Sequence, residues 1–285
     1  MPSPRVAIVI PAHNPGGYLR VAVDSVIAQT FADWEAVIVD DGGEEDLSSL
    51  SGLDRRVTVI RQANTGVSAA RNRGIAETSA DLIAFLDADD SWAPQKLERQ
   101  IAALEAQPEC VLCTTDFQIV DGAGERIGPG YRGFREGHLE LLGGCGICIS
   151  TVMARRGAVE AAGGFDPAFS QCADWDLWLR LALIGPFARA DEILASYRVH
   201  GTSMSRNYMA LVEEGTRLLR GQFATRSGEE QQAANAGIAR LRRLAGTQAY
   251  DELRQTHRIP ALARALRLNP SYTLRSLARY ALRRR

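Results

Sequence analysis

Residues 82–90 read LIAFLDADD, five apolar residues running directly into three aspartates within four positions. A short unbroken apolar run closed by polar residues is the pattern of a strand buried on both faces, as in a parallel sheet. Outward from it, Val6–Ile10 closed by Pro11, Ala36–Val39 and Val57–Ile60 repeat the pattern. Helical periodicity lies between these runs, in Leu19, Val23, Val26 and Ile27 and again from Ala69 to Ile75. Strand alternating with helix builds a parallel sheet covered on both sides, and ligands then bind where the loops gather at the carboxyl ends of the strands. The polar clusters fall there: Pro11-Ala12-His13-Asn14, Asp40-Asp41-Gly42-Gly43 and Asp87-Ala88-Asp89-Asp90. The expected fold class is α/β, a mostly parallel Rossmann-like sheet flanked by helices.

Further along, the pattern predicts a helix from near Pro94, capped by Ser91 and carrying Leu97, Ile101 and Leu104 on one face. Cys110–Thr115 reads as a strand, residues 121–144 as glycine-rich and irregular, and DWDLWLRLALI at 174–184 as an apolar helix. After Tyr197-Arg198-Val199-His200 the composition turns to Ala, Leu, Arg and Gln, which sets a boundary near residue 205 and makes the remainder helical and basic.

The chain has 285 residues, 46% hydrophobic and 24% charged, which excludes disordered and fibrous classes. The charge-free stretches Val6–Leu19 and Leu141–Ala154 have 14 residues each, short of the roughly 18 to 20 needed to span a bilayer. The start, MPSPRVAIVIPAHN, lacks the small-residue cleavage site of a signal peptide, so a cytoplasmic protein is expected. The net charge of -1 hides an asymmetry: residues 1–200 carry 17 basic and 28 acidic side chains, residues 201–285 carry 16 and 6. Two CxxC pairs, Cys110/Cys113 and Cys145/Cys148, suggest a thiolate zinc site, but their separation and the strand-like setting of the first favour reduced structural thiols.

Three clustered carboxylates raise one another's pKa unless a cation intervenes, and oxygen-only ligands favour magnesium or manganese, whose shell a nucleotide diphosphate completes. An acidic turn capping the next helix is the alternative. Asp40 and Asp41, beside glycines that permit close approach, suit a base N–H or a ribose hydroxyl, or simply a turn. Arg71, in NTGVSAARNRG at a helix start, suits a phosphate or a base, or solvent.

PAHN, VDDGG, the run NTGVSAARNRGIAETSADLIAFLDADDSWAPQKLERQ, then GGFDP, ADWDLWLRLA and YRVHGTSMS occur in an order that closely resembles glycosyltransferase family 2, over roughly residues 5–205. The resemblance implies a GT-A fold in residues 1–205, with a nucleotide-sugar part to about 116 and an acceptor part from about 117, followed by a helical basic extension at 206–285. It implies that Pro11, Ala12, Asn14, Asp40, Asp41 and Arg71 hold the base and ribose. Asp87 would touch ribose or a metal-bound water, and Asp89 would ligate Mn2+ or Mg2+, with Asp90 as a third member of the cluster. His200 would lie near the metal or the diphosphate, and His13 takes a position where the family often has Tyr.

The family's catalytic base is the Asp of a Glu-Asp pair opening a helix, which falls on Asp174, although Ala173 stands where Glu is usual. Residues two apart on a helix diverge by about 200°, so Asp174 and Asp176 cannot both face one site, and Asp174 is chosen. Trp175 and Trp178 read as core or as a sugar platform. The implied reaction is inverting transfer from a nucleotide diphosphate sugar, UDP by default, to a hydroxyl of a glycan or lipid-linked acceptor in cell-envelope or polysaccharide synthesis, with no nucleic acid partner. A haloacid-dehalogenase-like phosphohydrolase would also use Asp-x-Asp, but normally after the first strand. A non-catalytic nucleotide-sugar binding module is the third reading. In the tail, Leu262, Leu266, Leu274, Leu277 and Ala281 recur at helical spacing among arginines on either side of Asn269-Pro270, giving two basic amphipathic helices that either pack on the body or meet an anionic membrane surface.

Overall fold

The computed structural model describes residues 4–128, 130, 137–201, 203–204, 207–221, 228–256 and 259–282. They form two compact units, one of residues 1–138 and 146–203, the other of residues 139–145 and 204–285.

The first unit is built on β1 (Val6–Ala12), α1 (Tyr18–Ile27), β2 (Trp34–Asp40), β3 (Val57–Arg61), α2 (Val67–Ala76), β4 (Leu82–Phe85), β5 (Ser91–Trp92), α3 (Lys96–Ala106) and β6 (Leu112–Val120). After the short helix α4 (His138–Gly143), which from Leu139 onward belongs to the other unit, it continues with β7 (Met153–Arg155), α5 (Arg156–Ala161), α6 (Ala173–Leu181) and β8 (Phe187–Arg198). The eight strands lie in the order β3-β2-β1-β4-β7-β6-β8-β5. The four apolar runs make the parallel half, with Val6 opposite Trp34 and Leu82, and Ala36 opposite Val57. The other half departs from a parallel sheet: β7 runs antiparallel to β4 and β6, and β5 runs antiparallel to β8, while β6 and β8 are parallel.

Alternate residues of β1 serve opposite faces. Val6, Ile8 and Ile10 pack with Leu19, Val23 and Val26 of α1 and with Leu97 and Ile101 of α3. On the other face Val37 and Val39 meet Ala70 of α2, and the Phe85 ring meets Phe165 edge-on at 5.3 Å and Trp178 at 6.3 Å. Gly74 is what lets α2 come so close: a Cβ there would lie 2.5 Å from Val9 Cγ1. Trp175 and Trp178 are both core residues.

Ser91 does not cap α3. It pairs with Ser196 in β5, and the helix starts later, at Lys96. Pro94 lies in the preceding loop, where its carbonyl accepts the N–H of Thr30. The five cysteines form no disulfide among the described residues, and burial pushes the thiol of Cys113 up to about 11.

The second unit comprises α4 with α7 (Tyr208–Gly221), α8 (Gly228–Thr256), α9 (Ile259–Leu268) and α10 (Pro270–Leu282). Of the leucine stripe expected in the tail, Leu262 and Leu266 are half-buried and Leu274 is exposed. Ala261, Ala265 and Thr273 are buried, whereas Leu274 is 57% exposed, because close helix packing here uses small residues. The side chains of Leu277 and Ala281 lie outside the described residues. Among the described residues no helix is long and apolar enough to cross a membrane.

Candidate active site

The loops after β1, β2, β3 and β4 meet at one edge of the sheet, and their interlock explains the residues found there. Pro11 and Ala12 are buried at the end of β1, and Asn14 follows with a positive φ of 48°. Its Oδ1 accepts the N–H of Glu44 at 2.6 Å, tying the first loop to the second. Gly43 is required at this crossing, since a Cβ there would sit 2.7 Å from Asn14 Oδ1. His13 is exposed, and its Nδ1 donates to the Asp41 carbonyl at 3.0 Å.

Both carboxylates of the Asp pair are buried and engaged within the protein. Asp40 accepts from the N–H of Gly43 at 3.1 Å and from Arg61 Nη1 at 3.0 Å. Asp41 Oδ1 accepts from Gln62 Nε2 and from the N–H of Thr65, each at 2.9 Å, and Oδ2 accepts from the N–H of Gly66 at 2.9 Å. These bonds shape the turn that opens α2. Arg71, four residues into that helix and 5% exposed, donates from Nη2 to Asp87 Oδ1 at 2.7 Å, while its Nε finds no partner among the described residues.

Asp87, Asp89 and Asp90 each offer a carboxylate oxygen within 4.8 Å of the others. Burial raises the pKa of Asp89, and repulsion from Asp87 adds to it. His200, brought in by the strand β8, places Nε2 2.9 Å from Asp89 Oδ2 and opposes that rise. Asp90 is raised well above the usual carboxylate range by burial and by its two neighbours. A cluster in which each carboxylate disfavours the ionisation of the next suits a divalent cation, which reverses the sign of that interaction.

Asp174 lies in the first turn of α6 and is half-buried. Burial pushes its pKa up to about 6, against the pull of Arg71 and of the hydrogen bond from the N–H of Trp175, and Asp87 adds repulsion. Asp176 is fully buried and ion-paired to Arg180. The electrostatic influence of Arg71 and Asp87 links Asp174 to the acidic edge of the sheet.

Three contributors had no separate signal in the sequence. Tyr18, at the start of α1, stacks on His200 with ring centroids 4.8 Å apart. Arg198 is buried, and its Nε donates to the Asp89 carbonyl at 2.8 Å. Ser150 Oγ accepts the N–H of Asp87 at 3.1 Å. The strand-end rule finds loops, but it does not find residues that reach a loop from 60 or more positions away.

An α/β sheet with acidic loops at the carboxyl ends of its strands, extended by a mixed half and C-terminal helices, is the GT-A type of fold. Superposition on solved structures agrees. The chain is similar to S. aureus TarS 1-349 with a TM-score of 0.68 and 15% identity, covering 94% of this chain and 82% of that one. It is also similar to the same fragment in complex with UDP-GlcNAc, with a TM-score of 0.62 and 14% identity, covering 94% and 91%. The model for glycosyl transferase family 2 matches residues 7–163, and the chain belongs to that family.

Among curated relatives, the putative teichuronic acid biosynthesis glycosyltransferase TuaG of Bacillus subtilis is 29% identical over 72% of this chain and 82% of its own length. Chondroitin synthase of Escherichia coli is 29% identical over 74% of this chain and 31% of its own length. An uncharacterized glycosyltransferase of Rickettsia felis is 29% identical over 69% of this chain, and the match spans 33% of that relative.

Proposed function

We propose that this chain transfers a sugar, with inversion, from a nucleotide diphosphate sugar to a hydroxyl of a glycan or lipid-linked acceptor. The observation that carries the reading is the placement of Asp174 within the electrostatic reach of Arg71 and Asp87, with its pKa pushed up to about 6. A carboxylate of that basicity is still ionised at neutral pH and accepts a proton far better than an ordinary Asp. Asp174 takes the proton of the acceptor hydroxyl as that oxygen attacks the anomeric carbon. The diphosphate leaves towards Arg71 and the Asp87–Asp89 loop, and no covalent sugar–enzyme bond is required.

Asp89 and His200, with Asp87, are the residues that would hold Mn2+ or Mg2+. When bound, such an ion neutralises the departing diphosphate. The orphan Nε of buried Arg71 is a ready donor for a phosphate oxygen. Pro11, Ala12 and Asn14 form the floor for the base and ribose. Asp40 and Asp41 act there largely by holding that floor in shape, since their oxygens already accept protein N–H groups.

UDP is the first donor base to test, because the TarS structures include complexes with UDP and UDP-GlcNAc. The names of the TuaG and chondroitin synthase relatives support a role in cell-envelope or polysaccharide synthesis. The basic C-terminal unit exposes Leu244 and Leu274 among arginines, which supports peripheral contact with an anionic membrane at the cytoplasmic face, where a lipid-linked acceptor would be found. A haloacid-dehalogenase-like hydrolysis has no support, as the Asp cluster follows β4 of a family 2 chain.

Proton NMR of slow donor hydrolysis, with water as acceptor, tests the reading. An α-linked nucleotide sugar should release the β-sugar first. Initial release of the α-sugar, or trapping of a sugar–enzyme adduct, would overturn inversion.

A further inference from the structure

Asp90 belongs to the acidic cluster by distance, yet it is 0% exposed and both its oxygens are occupied inside the protein. Oδ2 accepts a hydrogen bond of 2.5 Å from Ser150 Oγ, and Oδ1 accepts one of 2.8 Å from the N–H of Arg198. Ser150 is fully buried, and its hydroxyl oxygen also receives the N–H of Asp87. Its carbonyl is fixed in turn by Trp92 Nε1 at 2.7 Å. From the other side, the Arg198 guanidinium bonds the carbonyls of Asp89, Asp121 and Gly122.

The segment 87–90 is thus fastened at three points, by residues 60 and 108 positions away from Asp90. The second of these fastenings ends two residues before His200, whose Nε2 meets Asp89. A carboxylate whose oxygens both serve internal donors, with no surface of its own, is poorly placed to ligate an ion. It is well placed to set the separation of the residues on either side of it.

We propose that Asp90 and Ser150 are a positioning pair. Together they clamp the Asp87–Asp89 loop to the end of β8, so that Asp87, Asp89 and His200 stand in register for a divalent cation, while Asp90 itself does not bind it. This rests on the cation-assisted reading of the site. Partners that orient metal ligands from behind typically change metal affinity by about 10- to 100-fold when removed.

The test is Mn2+ binding to the full chain in the presence of UDP, read from the electron paramagnetic resonance signal of free Mn2+, alongside thermal unfolding. Ser150→Ala should weaken Mn2+ binding by about tenfold, measured well below its unfolding temperature. Asp89→Asn should weaken it by about 100-fold or more. Asp90→Asn should lose no more than about tenfold, because Asn keeps an acceptor for the Arg198 N–H and offers its amide to Ser150 Oγ.

Parent-like Mn2+ affinity in Ser150→Ala would overturn the positioning role, since a purely structural serine changes melting alone. A loss in Asp90→Asn as deep as in Asp89→Asn would make Asp90 a ligand and overturn it equally. If Ser150→Ala does not fold cooperatively, the comparison of Asp90→Asn with Asp89→Asn decides. Failure of the parent chain to bind Mn2+ with UDP would remove the cation reading and this inference with it, whereas parent binding left unchanged by Ser150→Ala removes the inference alone.

Discussion

Replacing Asp174 by Asn removes one proton acceptor with almost no change of shape, and the structure sets opposite expectations for activity and stability. For activity, loss of a general base costs about 100-fold or more in turnover. The donor should still bind, because Arg71, Asp87 and the first loop are untouched. For stability, the carboxyl is raised in the fold from 3.8 to about 6. Its contribution is fully present below about pH 4 and is lost as pH rises through about 6, because the folded state holds the proton more tightly than the unfolded one. At about 1.4 kcal/mol per unit, the ionised carboxylate costs the fold roughly 3 kcal/mol at pH 7. Asn escapes that cost and keeps an oxygen for the N–H of Trp175, but loses a favourable charge at the start of α6, worth about 0.3–1 kcal/mol. The variant should therefore melt a few degrees higher at pH 7, and the gain should vanish by about pH 4. Calorimetry with UDP, a nucleotide-release assay and melting curves across pH measure the three quantities. A variant that turns over like the parent, or that is inactive because it melts lower and has lost UDP binding, refutes the assignment.

Other outcomes follow from the same geometry. In the parent chain kcat should fall about tenfold per pH unit below about 6, and a flat profile down to pH 5 would exclude Asp174 as the titrating group. Gly43→Ala places a Cβ 2.7 Å from Asn14 Oδ1, so a loss of about 1–3 kcal/mol and weaker UDP binding are expected in melting and calorimetry, while parent-like values would show that the loops yield freely. Burial pulls buried Lys96 down to about 7, so the unfolded chain binds more protons above that pH and stability should rise from about pH 7 to 10 through this group. Lys96→Met should flatten that rise, seen as melting temperature against pH. Truncation at Gln255 should abolish salt-sensitive co-sedimentation with anionic vesicles, and equal, negligible binding by the full and shortened chains would leave the tail as packing.

The parallel half of the sheet was legible because strands buried on both faces leave unbroken apolar runs, and LIAFLDADD carries its loop chemistry with it. The antiparallel half was not. β7 has only three residues, and β8 reads FARADEILASYR, whose exposed Asp191 and Glu192 interrupt the pattern where the register with β6 shifts. Ser91 looked like a helix cap because Ser is a good one, but pairing with β8 claims it first. The Asp pair was visible as a strand-end cluster, while its occupation by Gln62, Thr65, Gly66 and Arg61 depends on how the next loop folds back. Ser150 sits in a segment with no motif of its own, and Arg198, though inside YRVHGTSMS, gave no hint of its role; the meaning of both comes from the loop they grip. In the tail, leucine spacing marked the helices but not which residues are most buried: Ala261, Ala265 and Thr273 are buried, while Leu262 and Leu266 are half-buried.

The central claim is that a nucleotide diphosphate sugar binds at the loops after β1, β2 and β4 with a divalent cation at Asp89. The most direct measurement is a thermal-shift panel of nucleoside diphosphates and their sugars, with and without Mn2+, on the parent chain and on Asp89→Asn. A ligand present at about 100 times its Kd stabilises the fold by about 2.7 kcal/mol. One base should therefore raise the melting temperature of the parent by several degrees, with a larger shift when Mn2+ is present, and the Mn2+-dependent part should disappear in Asp89→Asn. No shift with any nucleotide, or a shift that is identical without Mn2+ and in the variant, would contradict the account.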